Sequence, residues 1–116
     1  MNRVESLVKS YKGTEDSDDI MLEVMDALSE TVTPVPDLGN YYTFVYQAKT
    51  PNITYDVHPL IAALEYFPGG FKGYNFHWQR MRNYTFLEVV GQLYYVYPEE
   101  MNDLERLSYQ KFVLNR

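Results

Sequence analysis

Two apolar, aromatic-rich runs, Leu60 to Phe67 and Phe71 to His77, meet across Phe67-Pro68-Gly69-Gly70, and that junction constrains the chain more than any other stretch. Proline presets a negative φ at the second position of a turn, and glycine accepts a positive φ at the third without a Cβ clash. A type II turn joining two antiparallel strands is therefore expected. In the returning strand Phe71, Gly73, Asn75 and His77 share one face, while Lys72, Tyr74, Phe76 and Trp78 share the other. Gly73 has no side chain to pack. A glycine inside a strand marks a bulge or a close backbone approach, so the sheet is expected to curl there.

The flanking segments extend this hairpin. Tyr41 to Ala48 is dense in residues that favour strands, and Lys49-Thr50-Pro51-Asn52 turns the chain out of it. Thr85-Phe86-Leu87-Glu88 matches a capping box and predicts a helix to about Tyr97, where Pro98 stops it. A short acidic helical turn through Leu107 and a last strand over Tyr109 to Leu114 complete the pattern. The expected class is α+β: a small curled antiparallel β-sheet or SH3-like partly open barrel with one inserted helix and an N-terminal helical arm. The SH3-like arrangement ranks first; an antiparallel sheet with one helix across its face ranks second.

Charge divides the chain at about residue 40. Residues 1–40 carry nine acids against three bases, whereas the remaining residues carry seven of each sign and hold eighteen of the nineteen aromatics. The reading is an acidic helical arm with a Pro-containing linker (1–40) and a tyrosine-rich, β-rich domain (41–116). In the arm, Val4, Leu7, Val8 and Tyr11 recur at helical spacing. Ile20, Met21, Val24, Met25, Ala27, Leu28 and Val32 form the face of a second helix, N-capped from the acidic stretch before it. Apolar stripes must be buried against something. Val4, Leu7, Met21, Met25 and Leu28 are assigned to a partner, with Pro34 and Pro36 holding the arm off the domain; the alternative is that the arm covers the domain's own core. Tyr41-Tyr42 and Tyr94-Tyr95 cannot each point into one core, so Tyr41 and Tyr94 are assigned to partner contact as well.

Catalytic chemistry finds little support in the residue patterns. Asp56, His58 and His77 could converge as metal ligands, but Asp56-Val-His-Pro59 is equally a turn into a strand, and the structural reading is preferred; no metal or cofactor is expected. Asp56, Glu65 and Lys72 lack the spacing of a metal-dependent nuclease. No serine sits in a glycine-flanked elbow and no phosphate-binding loop is present. Lys72, Trp78, Arg80 and Arg82 interleave bases with an aromatic, as nucleic-acid contacts do, although the domain around them is neutral. The absence of cysteine excludes disulfides. The opening residues lack a signal-peptide pattern, and no apolar stretch is long enough to span a membrane.

The hairpin also carries a resemblance. Tyr55-Asp56-Val-His-Pro59-Leu60 followed by Gly69-Gly70-Phe71-Lys-Gly73-Tyr-Asn75-Phe-His77-Trp78 resembles a motif of small virion proteins of tailed bacteriophages, some of which are DNA-end protectors. Tyr74 stands where that motif has leucine, and the acidic arm lies outside it. The resemblance implies structural roles for Asp56, Pro59, Gly69, Gly70, Gly73, Asn75 and His77. It also implies a virion location after assembly in a host cytoplasm, with other virion proteins, or further copies of the chain in a symmetric assembly, as partners. The expected function is a non-enzymatic structural or adaptor component of a tail, neck or baseplate; the alternative is a DNA-end-binding protector using Lys72, Trp78, Arg80 and Arg82. A metal-dependent hydrolase at Asp56, His58 and His77 is a distant third.

Overall fold

The computed structural model describes residues 2–12, 16–47 and 57–107. Two helices come first, α1 (Glu5–Ser10) and α2 (Ser17–Ala27), then strands β1 (Val32–Thr33), β2 (Tyr41–Tyr46), β3 (Leu60–Phe67), β4 (Gly70–Asn75), β5 (Arg80–Thr85) and β6 (Val89–Val96). Short 3-10 turns over Phe86–Glu88 and Pro98–Glu100 precede β6 and the last helix, α3 (Met101–Glu105). The strands form one antiparallel sheet in the order β1-β6-β2-β3-β4-β5. The class is α+β with a curled, open sheet.

The hairpin is built as its sequence dictates. Phe67 pairs with Gly70 across Pro68 and Gly69, and Gly69 takes φ +85°, the left-handed value that the third position of a type II turn requires. Gly70 is the more constrained glycine. A Cβ there would run into the backbone oxygen of Tyr84 and lie 2.7 Å from the Phe67 ring, so β5 can approach β4 only because the side chain is missing. Gly73 lies opposite Ala63, where the β3–β4 register shifts between Ala63 and Glu65, which is the expected irregularity. A Cβ at Gly73 would sit 3.1 Å from the Ile61 side chain.

Curling follows from connectivity. Only Phe86–Glu88 joins β5 to β6, yet β2, β3 and β4 lie between those strands in the sheet order. The sheet must bend until its far side returns. Tyr46 of β2 reaches that junction: its hydroxyl accepts from the Thr85 amide at 3.1 Å and donates to Glu88 Oε1 at 2.8 Å. A meander, a 3-10 turn and a strand returning beside the first is an order compatible with an SH3-like arrangement.

Three expectations need correction. The helix expected over Thr85 to Tyr97 is one 3-10 turn followed by strand β6. Thr85 Oγ1 does bond Glu88 Oε1 at 2.7 Å, but Val89 and Val90 then favour extended backbone, Gly91 takes φ +80°, and the open side of β2 supplies a ladder for β6. The Pro-containing linker does not hold the arm away: Val32 and Thr33 pair with Tyr94 and Leu93 as β1, welding it to the sheet. The apolar stripes assigned to a partner close on this chain instead. Val4, Met21 and Leu28 are buried with Ile20, Val24, Leu60, Val96, Leu104 and Leu107, and Leu7 and Met25 pack against them half-buried. The last strand expected over Tyr109–Leu114 lies outside the described residues.

Both faces of the sheet are thus covered, which resolves the paired tyrosines. Tyr41 and Tyr94 face the helices, while Tyr42 and Tyr95 face the aromatic interior of the curl with Phe44, Ile61, Phe71, Tyr84 and Leu93. Tyr41 and Tyr94 are half-buried in that packing, and among the described tyrosines Tyr66 is the exposed one.

Candidate functional site

The motif residues of the hairpin turn inward. Asn75 is buried, and its Oδ1 accepts from the amides of His77 (2.9 Å) and Trp78 (3.0 Å) while its Nδ2 donates to the Tyr84 hydroxyl (3.0 Å). One side chain therefore closes the β4–β5 loop and ties it to the aromatic interior. Gln79 completes the loop at φ 55°. His77 is buried, and desolvation pushes its pKa down to about 4, so it is neutral at pH 7. His58 is buried, with Nε2 3.5 Å from Asp18 Oδ1 at the start of α2. Burial lowers its pKa against the opposing pull of Asp18 and Asp16. Asp56 lies outside the described residues. Among the described residues no three His, Asp or Glu side chains gather where they could hold a metal ion.

The basic–aromatic cluster is split. Arg80 and Arg82 place their guanidinium carbons 5.1 Å and 5.4 Å from the Trp78 ring, a cation–π pair on one indole. Arg80 and Arg82 pair with Asn75 and Gly73, whereas Lys72 pairs with Asn83 and so projects from the opposite face of the sheet. Lys72 stands across from Glu65 instead, and Tyr74 on that same face packs edge-on against Phe76.

Two surface features and one internal lock had no place in the sequence reading. The first surface is a rim where the chain before β2 runs beside the end of β3. Gly39 N donates to Ala63 O, Ala63 N to Asn40 O at 3.0 Å, and the Tyr66 hydroxyl to Pro36 O at 2.6 Å. These bonds bring the segment that carries Val35 and Leu38 beside the one that carries Leu64 and Tyr66, and each of these four side chains is nearly half exposed. The second surface is an open groove of about 450 Å³ between α1 and α2, lined by Ser6, Leu7, Leu22, Glu23, Asp26 and Ala27 with Arg3 at its edge.

The lock is ionic. Arg3 Nε and one terminal nitrogen each bond Glu100 at 2.9 Å in a two-pronged pair. Glu100 is fully buried and also accepts from the Tyr97 amide at 2.9 Å, and Arg3 lies 4.2 Å from the Tyr97 ring centroid. Burial alone would raise the Glu100 carboxyl, but the bonds from Arg3 and from the Tyr97 and Arg3 amides outweigh it and hold it below the usual carboxylate range. The partners are 97 positions apart, so no local spacing signals the pair. Leu22 did leave a signal: it is an apolar residue off the buried stripe of α2, next to Glu23 and one helical turn from Asp18, Asp19 and Asp26.

No helix among the described residues is long and apolar enough to cross a membrane. Comparison with known protein families, with curated proteins and with solved structures gives no match.

Proposed function

We propose that this chain is a non-enzymatic structural or adaptor component of a tailed-phage particle, acting by docking on neighbouring particle proteins. The hairpin resemblance supplies the particle context. The observation that carries the docking role is the rim of Val35, Leu38, Leu64 and Tyr66, which leaves apolar side chains exposed while Gly70, Gly73, Asn75 and His77 are spent on holding the fold. Exposed apolar side chains on adjoining segments, beside polar neighbours such as Asp37 and Glu65, are the chemistry of a protein interface. Particles purified by density gradient from infected cells and analysed by mass spectrometry test the reading. The expected result is a fixed copy number per particle that survives a high-salt wash and falls when Leu64 and Tyr66 are both changed to serine. A chain that stays out of the particle fraction overturns it.

A second reading, contact with a DNA end, is favoured by Trp78 carrying two guanidinium groups. Binding of that kind weakens steeply with salt. Tight, salt-sensitive binding of blunt duplex ends, abolished by Trp78→Ala with Arg80→Ala, would bring this reading ahead of the first.

A further inference from the structure

The groove between α1 and α2 is lined by apolar side chains of both helices and by two acids of α2. Leu22 is 62% exposed, and Leu7 and Ala27 are half-buried. Glu23 and Asp26 stand exposed along the α2 side, and α2 carries Asp18, Asp19, Glu23 and Asp26 with no basic residue in its last turn. No lysine or arginine occurs anywhere from residue 16 to residue 47. Among the described residues Arg3 is the one cation lining the groove, and it is committed to Glu100 rather than to Glu23 or Asp26.

That arrangement is locally unfavourable for the isolated chain. The carbonyl end of a helix carries partial negative charge, and an acid in its last turn adds to it, where a cation would relieve it. Asp26 occupies that position. An exposed leucine between these acids adds apolar surface that an incoming side chain can cover. Both features are satisfied by one kind of occupant, a segment with lysine or arginine spaced around an apolar anchor.

We infer, resting on the adaptor reading, that this groove docks a basic, apolar-anchored peptide segment of a partner protein, with its anchor on Leu7, Leu22 and Ala27 and its cations on Glu23 and Asp26. The groove lies on the helical side of the molecule and uses none of the rim residues. One copy of the chain can therefore hold two neighbours at once.

Amide chemical-shift mapping on the full-length chain tests this, with a short synthetic peptide alternating leucine and lysine as probe. The expected shifts centre on Leu7, Leu22, Glu23, Asp26 and Ala27, and binding weakens as salt rises. Leu22→Ser alone, and Glu23→Lys with Asp26→Lys, are each expected to lower affinity at least about tenfold, with the melting temperature not lowered, because these side chains are exposed, and slightly raised in the second variant, where a lysine replaces the acid in the last turn of α2. Asp37→Lys with Glu65→Lys, an equal charge change at exposed positions outside the groove, is expected to leave the affinity unaltered. Equal binding of a leucine–glutamate peptide, or binding indifferent to Leu22→Ser, overturns the inference. So does displacement of the probe by a peptide of residues 108–116 (Ser-Tyr-Gln-Lys-Phe-Val-Leu-Asn-Arg), which would make the chain itself the occupant. Incorporation of the groove variants into particles at the normal copy number removes the groove inference and leaves the adaptor reading standing; absence of the unaltered chain from particles removes the adaptor reading whatever the peptide does.

Discussion

The two hydrophobic clusters, one on each face of the sheet, are built on different plans. The cluster inside the curl is aromatic and drawn mainly from neighbouring strands: Phe44, Phe71 and Tyr84 meet edge-on or stacked at 5.4–6.0 Å, and the β3–β4 and β4–β5 hairpins position most of it. The cluster under the helices is aliphatic and draws the ends of the described chain together, with Val4 and Leu28 meeting Val96, Leu104 and Leu107. It has no turn to set its register. The Arg3–Glu100 pair does that work, bonding the start of α1 to the turn before α3, with the Arg3 guanidinium also donating to Thr31 Oγ1 at 2.7 Å. Local turn chemistry organises one face, and a long-range ion pair pins the other.

The largest expected effect falls on the aromatic side. Gly70→Val forces a Cβ into the Tyr84 backbone oxygen, which cannot move without parting β4 from β5. The cost is expected at or above the top of the usual overpacking range, about 3 kcal/mol, with loss of a cooperative melt. A variant melting within a few degrees of the unaltered chain would show that the strands are not held this close.

Arg3→Met tests the other face. It leaves Glu100 buried and unpaired, which typically costs about 3–5 kcal/mol; the partial exposure of Arg3 places the expectation at the lower end. Hydrogen exchange should accelerate in α1 and α3 first while β3–β4 amides stay protected. Uniform loss of protection would mean that the two clusters unfold as one. Deleting residues 1–37, which the sequence alone suggests should leave a stable domain, would bare Leu60, Val96, Leu104 and Leu107, and the remainder is expected to aggregate.

Acid titration is expected to act on both sides. His77 has a folded pKa of about 4 against an ordinary value of 6.5, so the unfolded chain takes up its proton first as pH falls. Stability is full above about pH 6.5 and declines toward pH 4, by no more than about 3 kcal/mol from this group. His77→Gln should flatten that slope in urea melts between those limits; an unchanged slope would assign it elsewhere. Glu100 acts lower, contributing stability above the ordinary carboxylate pKa that is lost as pH falls through its depressed folded value.

The smallest effect is a gain. Gln79 sits at φ 55°, where a side chain is strained and glycine is not. Gln79→Gly should stabilise by about 0.5 kcal/mol once the freer unfolded chain is counted, read as a small rise in melting temperature.

The sequence by itself determined the hairpin, because proline and glycine set backbone angles through bonds within a few residues, and Asp16 capping α2 through the Asp18 amide is equally local. Its charge division was also legible, as was the irregularity facing Gly73. Tertiary structure alone decided the rest. Thr85 and Glu88 form their bond in a 3-10 turn as well as they would in a helix, so their spacing could not tell that β2 needed a ladder partner and would draw Val89 to Val96 into it. An apolar stripe reports that a helix face is buried but carries no address, and only the folded chain turned Val4, Met21 and Leu28 onto Leu60 and Val96. Paired tyrosines suggested exposure because a sheet with one core has one inward face; two covered faces gave both members a place. The candidate docking surfaces emerged last for the same reason: whether Leu22 or Leu64 is exposed depends on what every other apolar side chain has already covered.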